Sequence, residues 1–147
     1  MAQEIERKFL VINQTFTTLA TVQHKIRQGY ISRHTNGTVR IRIIDNEARI
    51  TVKSKNIGAV RNEWEYAIPV ADAIEMLATC CVGNMIEKTR YVVPSGGFTW
   101  EVDVFHGNHE GLIVAEIELP DEHTPFTTPP FIGDEVTGNA AYYNSNL

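Results

Sequence analysis

Along most of this chain alternate residues carry charge, and within a segment the charges mostly share one sign. Successive side chains of a strand point to opposite faces of its sheet, so such a pattern gives each strand one apolar and one ionic face. Segment 3–12 puts Glu4, Glu6 and Lys8 on one side and Ile5, Phe9 and Val11 on the other, with Arg7 the exception. Segment 38–44 sets Arg40 and Arg42 against Val39, Ile41 and Ile43, and 48–55 sets Arg49, Thr51 and Lys53 against Ile50 and Val52. In 60–68, Arg61, Glu63 and Glu65 oppose Trp64, Tyr66 and Ile68, and in 85–94 Lys88 and Arg90 oppose Tyr91 and Val93. Segment 98–106 sets Glu101, Asp103 and Phe105 against Trp100, Val102 and Val104, and 111–119 sets Glu116 and Glu118 against Ala115, Ile117 and Leu119.

With 23–33, where Gln28 and Tyr30 share a polar face, this makes about eight strands. Turn chemistry separates them at Asn36-Gly37, Asp45-Asn46, Asn56-Ile57-Gly58, Ser95-Gly96-Gly97 and Gly107-Asn108, and such short links join antiparallel neighbours. Between the fifth and sixth strands, Ala73, Ile74, Leu77, Ala78 and Cys81 fall at helical spacing, which predicts one amphipathic helix over 70–81. A turn of helix is expected near 14–21, and the Pro- and Thr-rich tail from Pro120 is expected to wrap the domain. The 147 residues suit one domain, 1–147, of a mainly β (α+β) barrel or sandwich.

An all-β chain ordinarily buries its apolar faces and leaves mixed polar faces to solvent. Here the ionic faces are sorted: acid pairs on the first, fifth, seventh and eighth strands, base pairs on the third, fourth and sixth. Repeated like charges two residues apart call for compensation. Carboxylates around a hard divalent cation, and Arg and Lys around a polyanion, supply it. The competing reading of each pair, such as Arg42 with Glu63, is an ordinary cross-strand ion pair. Arg49 and Arg61 read equally well as surface charges. The five histidines lack ligand spacing, Cys80 and Cys81 read as reduced and packed, and Trp64 and Trp100 fall on the apolar parity. A net charge of −5 argues against a nucleic-acid partner. No apolar run reaches membrane-spanning length and the first residues are charged, so a soluble, cytoplasmic protein without a membrane partner is expected.

The stretch Glu4-Ile5-Glu6-Arg7-Lys8 resembles the N-terminal ExExK signature of the CYTH superfamily, the triphosphate tunnel metalloenzymes. Arg40-x-Arg42, Thr51-Val52-Lys53, Glu63-x-Glu65, Lys88-x-Arg90, Trp100-Glu101-Val102-Asp103 and Ala115-Glu116-Ile117-Glu118-Leu119 resemble its later motifs in order. The resemblance implies an eight-stranded antiparallel closed barrel, a tunnel with a charged interior. It implies Mg²⁺ or Mn²⁺ held by Glu4, Glu6, Asp103, Glu116 and Glu118, with Glu63 and Glu65 as further candidates. It implies a triphosphate bound by Lys8, Arg40, Arg42, Lys53, Lys88 and Arg90.

Lys8 is the candidate base, with Tyr30 to orient it. Only Tyr30 and Phe105 offer aromatic rings on the ionic parity, which favours inorganic tripolyphosphate over thiamine triphosphate or ATP. A polyphosphate-binding module without turnover is the alternative of another class, and an ordinary β-domain with a solvated charged face is a third. If charges line the interior, one helix and a tail are little cover for the outward apolar faces, and a homodimer is expected from that shortfall.

Overall fold

A computed structural model describes residues 2–34 and 36–147, apart from the side chains of Ala2 and Asn84. The strands are β1 (Ala2–Val11), β2 (Val22–His34), β3 (Gly37–Ile44), β4 (Glu47–Ser54), β5 (Val60–Ile68), β6 (Val82–Ser95), β7 (Phe98–Phe105) and β8 (Ile113–Glu118). They match the expected set to within a few residues, as do helices α1 (Phe16–Leu19) and α2 (Val70–Thr79). A short strand in the tail, β9 (Ile132–Glu135), was not expected. No helix among the described residues is long and apolar enough to cross a membrane.

Neighbouring strands run in the order β5-β4-β3-β2-β6-β7-β8-β1, and β1 pairs back onto β5, so the sheet closes on itself. All pairings are antiparallel. β1 serves one edge twice: Ala2–Ile5 pair with β5, and Phe9 and Val11 then pair with β9, while Glu6–Leu10 pair with β8 on the other edge. The tail thus occupies the edge that β5 vacates, which leaves less of β1 unpaired. The β6–β7 hairpin turns on Gly96 and Gly97, at φ 59° and 82°, the left-handed pair that a two-residue turn of the right twist needs.

The barrel wears most of its apolar core outside. Over β1, β6, β7 and β8, Phe9, Trp100, Val102 and Ile117 pack beneath Phe16 of α1 and Phe131 of the tail; Phe9 and Trp100 lie 5.5 Å apart between centroids and Phe16 and Phe131 5.8 Å. Burying one such ring contributes about 1.5–3 kcal/mol. On the other side, Ala73, Met76 and Leu77 of α2 cover Ile41, Ile43 and Ala48. Arg7, the parity exception, lies over the Phe126 ring at 4.9 Å and pairs with Glu135, which ties β1 to the tail.

The apolar shortfall behind the homodimer expectation is therefore met largely within the chain, by α1, the tail and α2. Among the large hydrophobics that stay exposed are Tyr66, at 63%, and Val52, at 36%, both on the outer face of β4 and β5; others, such as Ile74 of α2 and Val82 and Met85 of β6, are scattered elsewhere. The two tryptophans part company: Trp100 is fully buried and Trp64 only half-buried. Cys80 is exposed rather than packed, and Cys81 is half-buried, both as free thiols.

Candidate active site

Strand order converts the sign-sorting of the sequence into two walls. The acid-bearing strands β7, β8, β1 and β5 are consecutive around the barrel, and the base-bearing strands β4, β3 and β6 fill the other side with β2, whose Gln28 and Tyr30 face is polar but uncharged, between β3 and β6. A cavity of about 170 Å³ lies between the walls. Glu4, Glu6, Glu63, Glu65, Glu116 and Glu118 face it from the acidic side, and Arg40, Arg42, Lys53 and Arg90 from the basic side. Lys8, Tyr30 and Arg61 also face it.

Two of the expected ligands do not reach the cavity. Lys88 is 1% exposed and Asp103 2%, and they pair with each other at 2.7 Å deeper inside the barrel. Asp103 also receives both forks of Arg90, Nε at 2.8 Å and Nη2 at 2.9 Å. A carboxylate held in that way braces a guanidinium and has its lone pairs occupied. Burial works against the Asp103 charge, but Arg90 and Lys88 outweigh it and hold the group far below the usual carboxylate range. Burial pulls Lys88 down to about 7 against the attraction of Asp103. Phe105 also lies deeper inside the barrel, packed with Tyr30, Ile86 and Val114.

The acidic wall is crowded. Burial first, then Glu116 and Glu4, push Glu6 up to about 8, while Glu116 lies well below its ordinary value because Lys8, a hydrogen bond with Glu6 and Arg90 outweigh its own burial. Burial and crowding therefore favour the protonated form of Glu6 beside a charged Glu116. A hydrogen bond with Glu4, then burial, raises Glu63 to about 7; Glu4 is lowered to about 2, its burial overcome by Glu63, Lys53 and Arg61. Glu118 is raised by burial and by Glu4 and Glu101. Lys53 Nζ lies 2.9 and 3.0 Å from the two oxygens of Glu4, and Lys8 Nζ lies 3.4 Å from Glu116. Among the described residues no three acids already converge on one point.

The basic wall is partly braced. Arg42 Nε donates to Gln28 Oε1 at 2.7 Å, and Arg40 Nη2 to Thr51 Oγ1 at 3.3 Å. The Arg40 Nε group is buried with no acceptor among the described residues. Loss of bulk solvation, with Arg40 and Arg90 alongside, lowers Arg42 to about 9, so it still carries its charge at neutral pH. Buried, clustered donors of this kind are matched by an anion with many acceptor oxygens.

Several lining residues receive no role from the sequence pattern. Arg61, ambiguous in sequence, bonds Glu4 at 3.4 Å and stands 3.8 Å from Glu6, whereas Arg49 is 43% exposed beside Glu47 and Glu65 at a strand end. Thr38 and Glu101 also line the cavity. Glu101 lies on the ionic face of β7, and its Oε2 accepts from Arg90 Nη1 at 3.2 Å. Tyr143, Asn144 and Ser145 come from the tail, where no alternation marks them. None of the histidines lines this cavity.

The family model described as the CYTH domain matches residues 2–145. An inorganic triphosphatase of Acetivibrio thermocellus is 48% identical over 147 residues, which span 100% of this chain and 94% of that one. An inorganic triphosphatase of Nitrosomonas europaea is 38% identical, over 98% of this chain and 95% of its own. Among solved structures, the inorganic triphosphatase NE1496 superposes with a TM-score of 0.66 at 35% identity, covering 99% of this chain and 94% of that one. The PH1012 protein of Pyrococcus horikoshii, 17% identical with a TM-score of 0.64 over 81% of this chain and 80% of its own, shares the fold.

Proposed function

We propose that this chain, which belongs to the CYTH domain family, is a metal-dependent triphosphatase that hydrolyses inorganic tripolyphosphate to pyrophosphate and orthophosphate. The observation that carries the reading is the pair of opposed walls, one with more carboxylate than its cations balance and one with clustered Arg and Lys. The names of the two curated relatives point the same way.

The donor set fits a hard divalent cation, Mg²⁺ or Mn²⁺, because it is all carboxylate oxygen and its crowding holds protons that such a cation would displace. Glu4, Glu6, Glu116 and Glu118 would hold it, with Glu63 and Glu65 beside them. When bound, the cation supplies charge neutralisation for the phosphate oxygens and lowers the pKa of bound water.

Phosphoryl transfer leaves the protein mainly to position groups and neutralise charge. Arg40, Arg42, Lys53 and Arg90 would grip the phosphate oxygens from the basic wall. Asp103 would keep Arg90 aimed, and Lys88 would add positive potential from behind it. Burial lowers Lys8, but Glu116 and Glu6 outweigh it and raise the group, which suits a phosphate ligand better than a base. Tyr30 faces the same cavity and can orient Lys8 or the attacking water.

Phosphate release from tripolyphosphate, ATP and thiamine triphosphate, each with Mg²⁺, Mn²⁺ or chelator, tests the proposal. Fast metal-dependent release from tripolyphosphate alone is expected. Preference for an organic triphosphate would show that Tyr30 and Tyr143 serve a base or thiazolium ring, and binding without release would leave a polyphosphate-binding module. A homodimer that covers Val52 and Tyr66 is the assembly that goes with this reading; sedimentation as a monomer at micromolar concentration contradicts it.

A further inference from the structure

The tail ends in two short 3-10 turns, Ala140–Tyr142 and Asn144–Asn146, which carry Tyr143–Ser145 along the wall of the charged cavity. Tyr143 and Ser145 also line a second cavity, of about 280 Å³, and the two cavities share Thr38 and Arg61. The strap therefore stands between the charged cavity and an adjoining cavity that opens to the surface, where Arg33, His34 and Lys55 are exposed.

Three contacts seat it. Lys8 Nζ donates to the Tyr142 carbonyl at 3.0 Å, and Arg33 Nη1 donates to the Ser145 carbonyl at 3.0 Å. Leu147 packs against the cluster of Tyr30, Ile86, Phe105 and Val114. Arg33 reaches the strap through a bulge in β2: Tyr30 faces Arg40 across the ladder, Ser32 faces Val39, and the extra residue between them puts Arg33 opposite Thr38 on the inner face. Its guanidinium lies on Gly83, where a Cβ would come within 1.8 Å of Nη2.

The two chambers differ in charge. The second is lined by Arg33, His34, Lys55 and Arg61, and by no carboxylate among the described residues, whereas glutamates fill one side of the first. A chamber of cations without acids suits phosphate oxygens and offers nothing to a divalent cation.

We propose that the Tyr143–Ser145 strap is a length stop, which ends the phosphate chain that the main cavity can take. The acid-free chamber behind it is the seat for the fourth and later phosphates of a linear polyphosphate when the strap lifts. The inference rests on the triphosphatase reading of the main cavity. Lys8 and Arg33 bind the strap through donors that a phosphate chain would itself recruit, so chain entry and strap closure compete. The bond chemistry is the same for either chain: water oxygen bonds to the terminal phosphorus and the anhydride P–O bond breaks. The leaving oxygen keeps the electron pair, and the water protons go to the products and solvent.

The test is the ratio of kcat/KM for tetrapolyphosphate to that for tripolyphosphate, in the full chain, in a chain truncated after Asn139 and in Leu147→Asp. The full chain should favour tripolyphosphate, and each variant should raise the ratio about tenfold, equivalent to about 1.4 kcal/mol. Adding Lys55→Ala to the truncated chain should lower the ratio again. Equal use of both substrates by the full chain overturns the proposal, as does an unchanged ratio in a variant whose circular dichroism is native. If the truncated chain does not fold, Leu147→Asp carries the comparison, because Leu147 does not line the cavity. If the full chain cleaves neither substrate, the triphosphatase reading fails, and the same ratio measured calorimetrically as binding affinities still decides whether the strap is a stop.

Discussion

The acidic and basic walls are built from the same parity rule and solve their electrostatics differently. On the basic wall most charges have a partner: Arg90 rests on Asp103 and Glu101, Arg42 on Gln28 and Arg40 on Thr51. On the acidic wall the partners run short, and Glu6 and Glu63 rise to about 8 and about 7. A braced cation is aimed and ready for an anion. A crowded carboxylate holds a proton until a metal replaces it, so the wall with unmet charge is the one that requires a cofactor.

The largest test of that contrast removes a carboxylate at its centre. Glu116→Gln should lower turnover of tripolyphosphate by at least about 10²-fold, the scale on which losing one preorganised electrostatic group is felt, and should weaken metal dependence. Steady-state rates across a Mn²⁺ titration check both. Arg42→Met, on the opposite wall, should cost about 10²-fold in kcat/KM while leaving the metal concentration for half-maximal rate nearly unchanged. A shift of that concentration as large as the one in Glu116→Gln would merge the two walls into one functional unit.

Asp103→Asn separates bracing from ligation. As a brace of Arg90 it should cost about tenfold in rate, by analogy with outer partners elsewhere, and leave metal affinity unmoved. A fall in metal affinity would return Asp103 to the ligands.

The smallest effect is on stability. The raised groups Glu6 and Glu63 contribute stability that is complete below their unfolded value near 4.5 and is lost as pH rises through about 7 to 8. Lys88, lowered to about 7, works in the opposite sense only above that pH. The melting temperature of the metal-free chain should therefore fall between about pH 5 and 7, and Mg²⁺ should restore it. A curve flat over this range would mean that the acidic wall is not crowded.

Parity made most of the site legible. Glu4, Glu6, Lys8, Arg40, Arg42, Lys53, Arg90, Glu116 and Glu118 all reach the cavity because strands with two-residue periodicity carry them there. Parity ceases to inform where the period breaks or depth matters. The bulge after Tyr30 turns Arg33 inward, against its place in the alternation. Lys88 and Asp103 share the inner face with the true lining residues but lie deeper, and depth depends on which side chains stack above them. Tyr143, Asn144 and Ser145 belong to 3-10 turns whose position is set by contacts with Lys8, Arg33 and a hydrophobic cluster, none of them near in sequence. β9 is four residues long and takes its place from a vacated edge of β1.

The most direct measurement of the central claim is orthophosphate release from tripolyphosphate as Mg²⁺ or Mn²⁺ is titrated into the chelator-treated chain. The opposed walls predict no release without metal and a saturable rise with it, abolished in Glu116→Gln. Full turnover in the presence of chelator, or a Glu116→Gln chain that keeps the native metal response, would contradict the account.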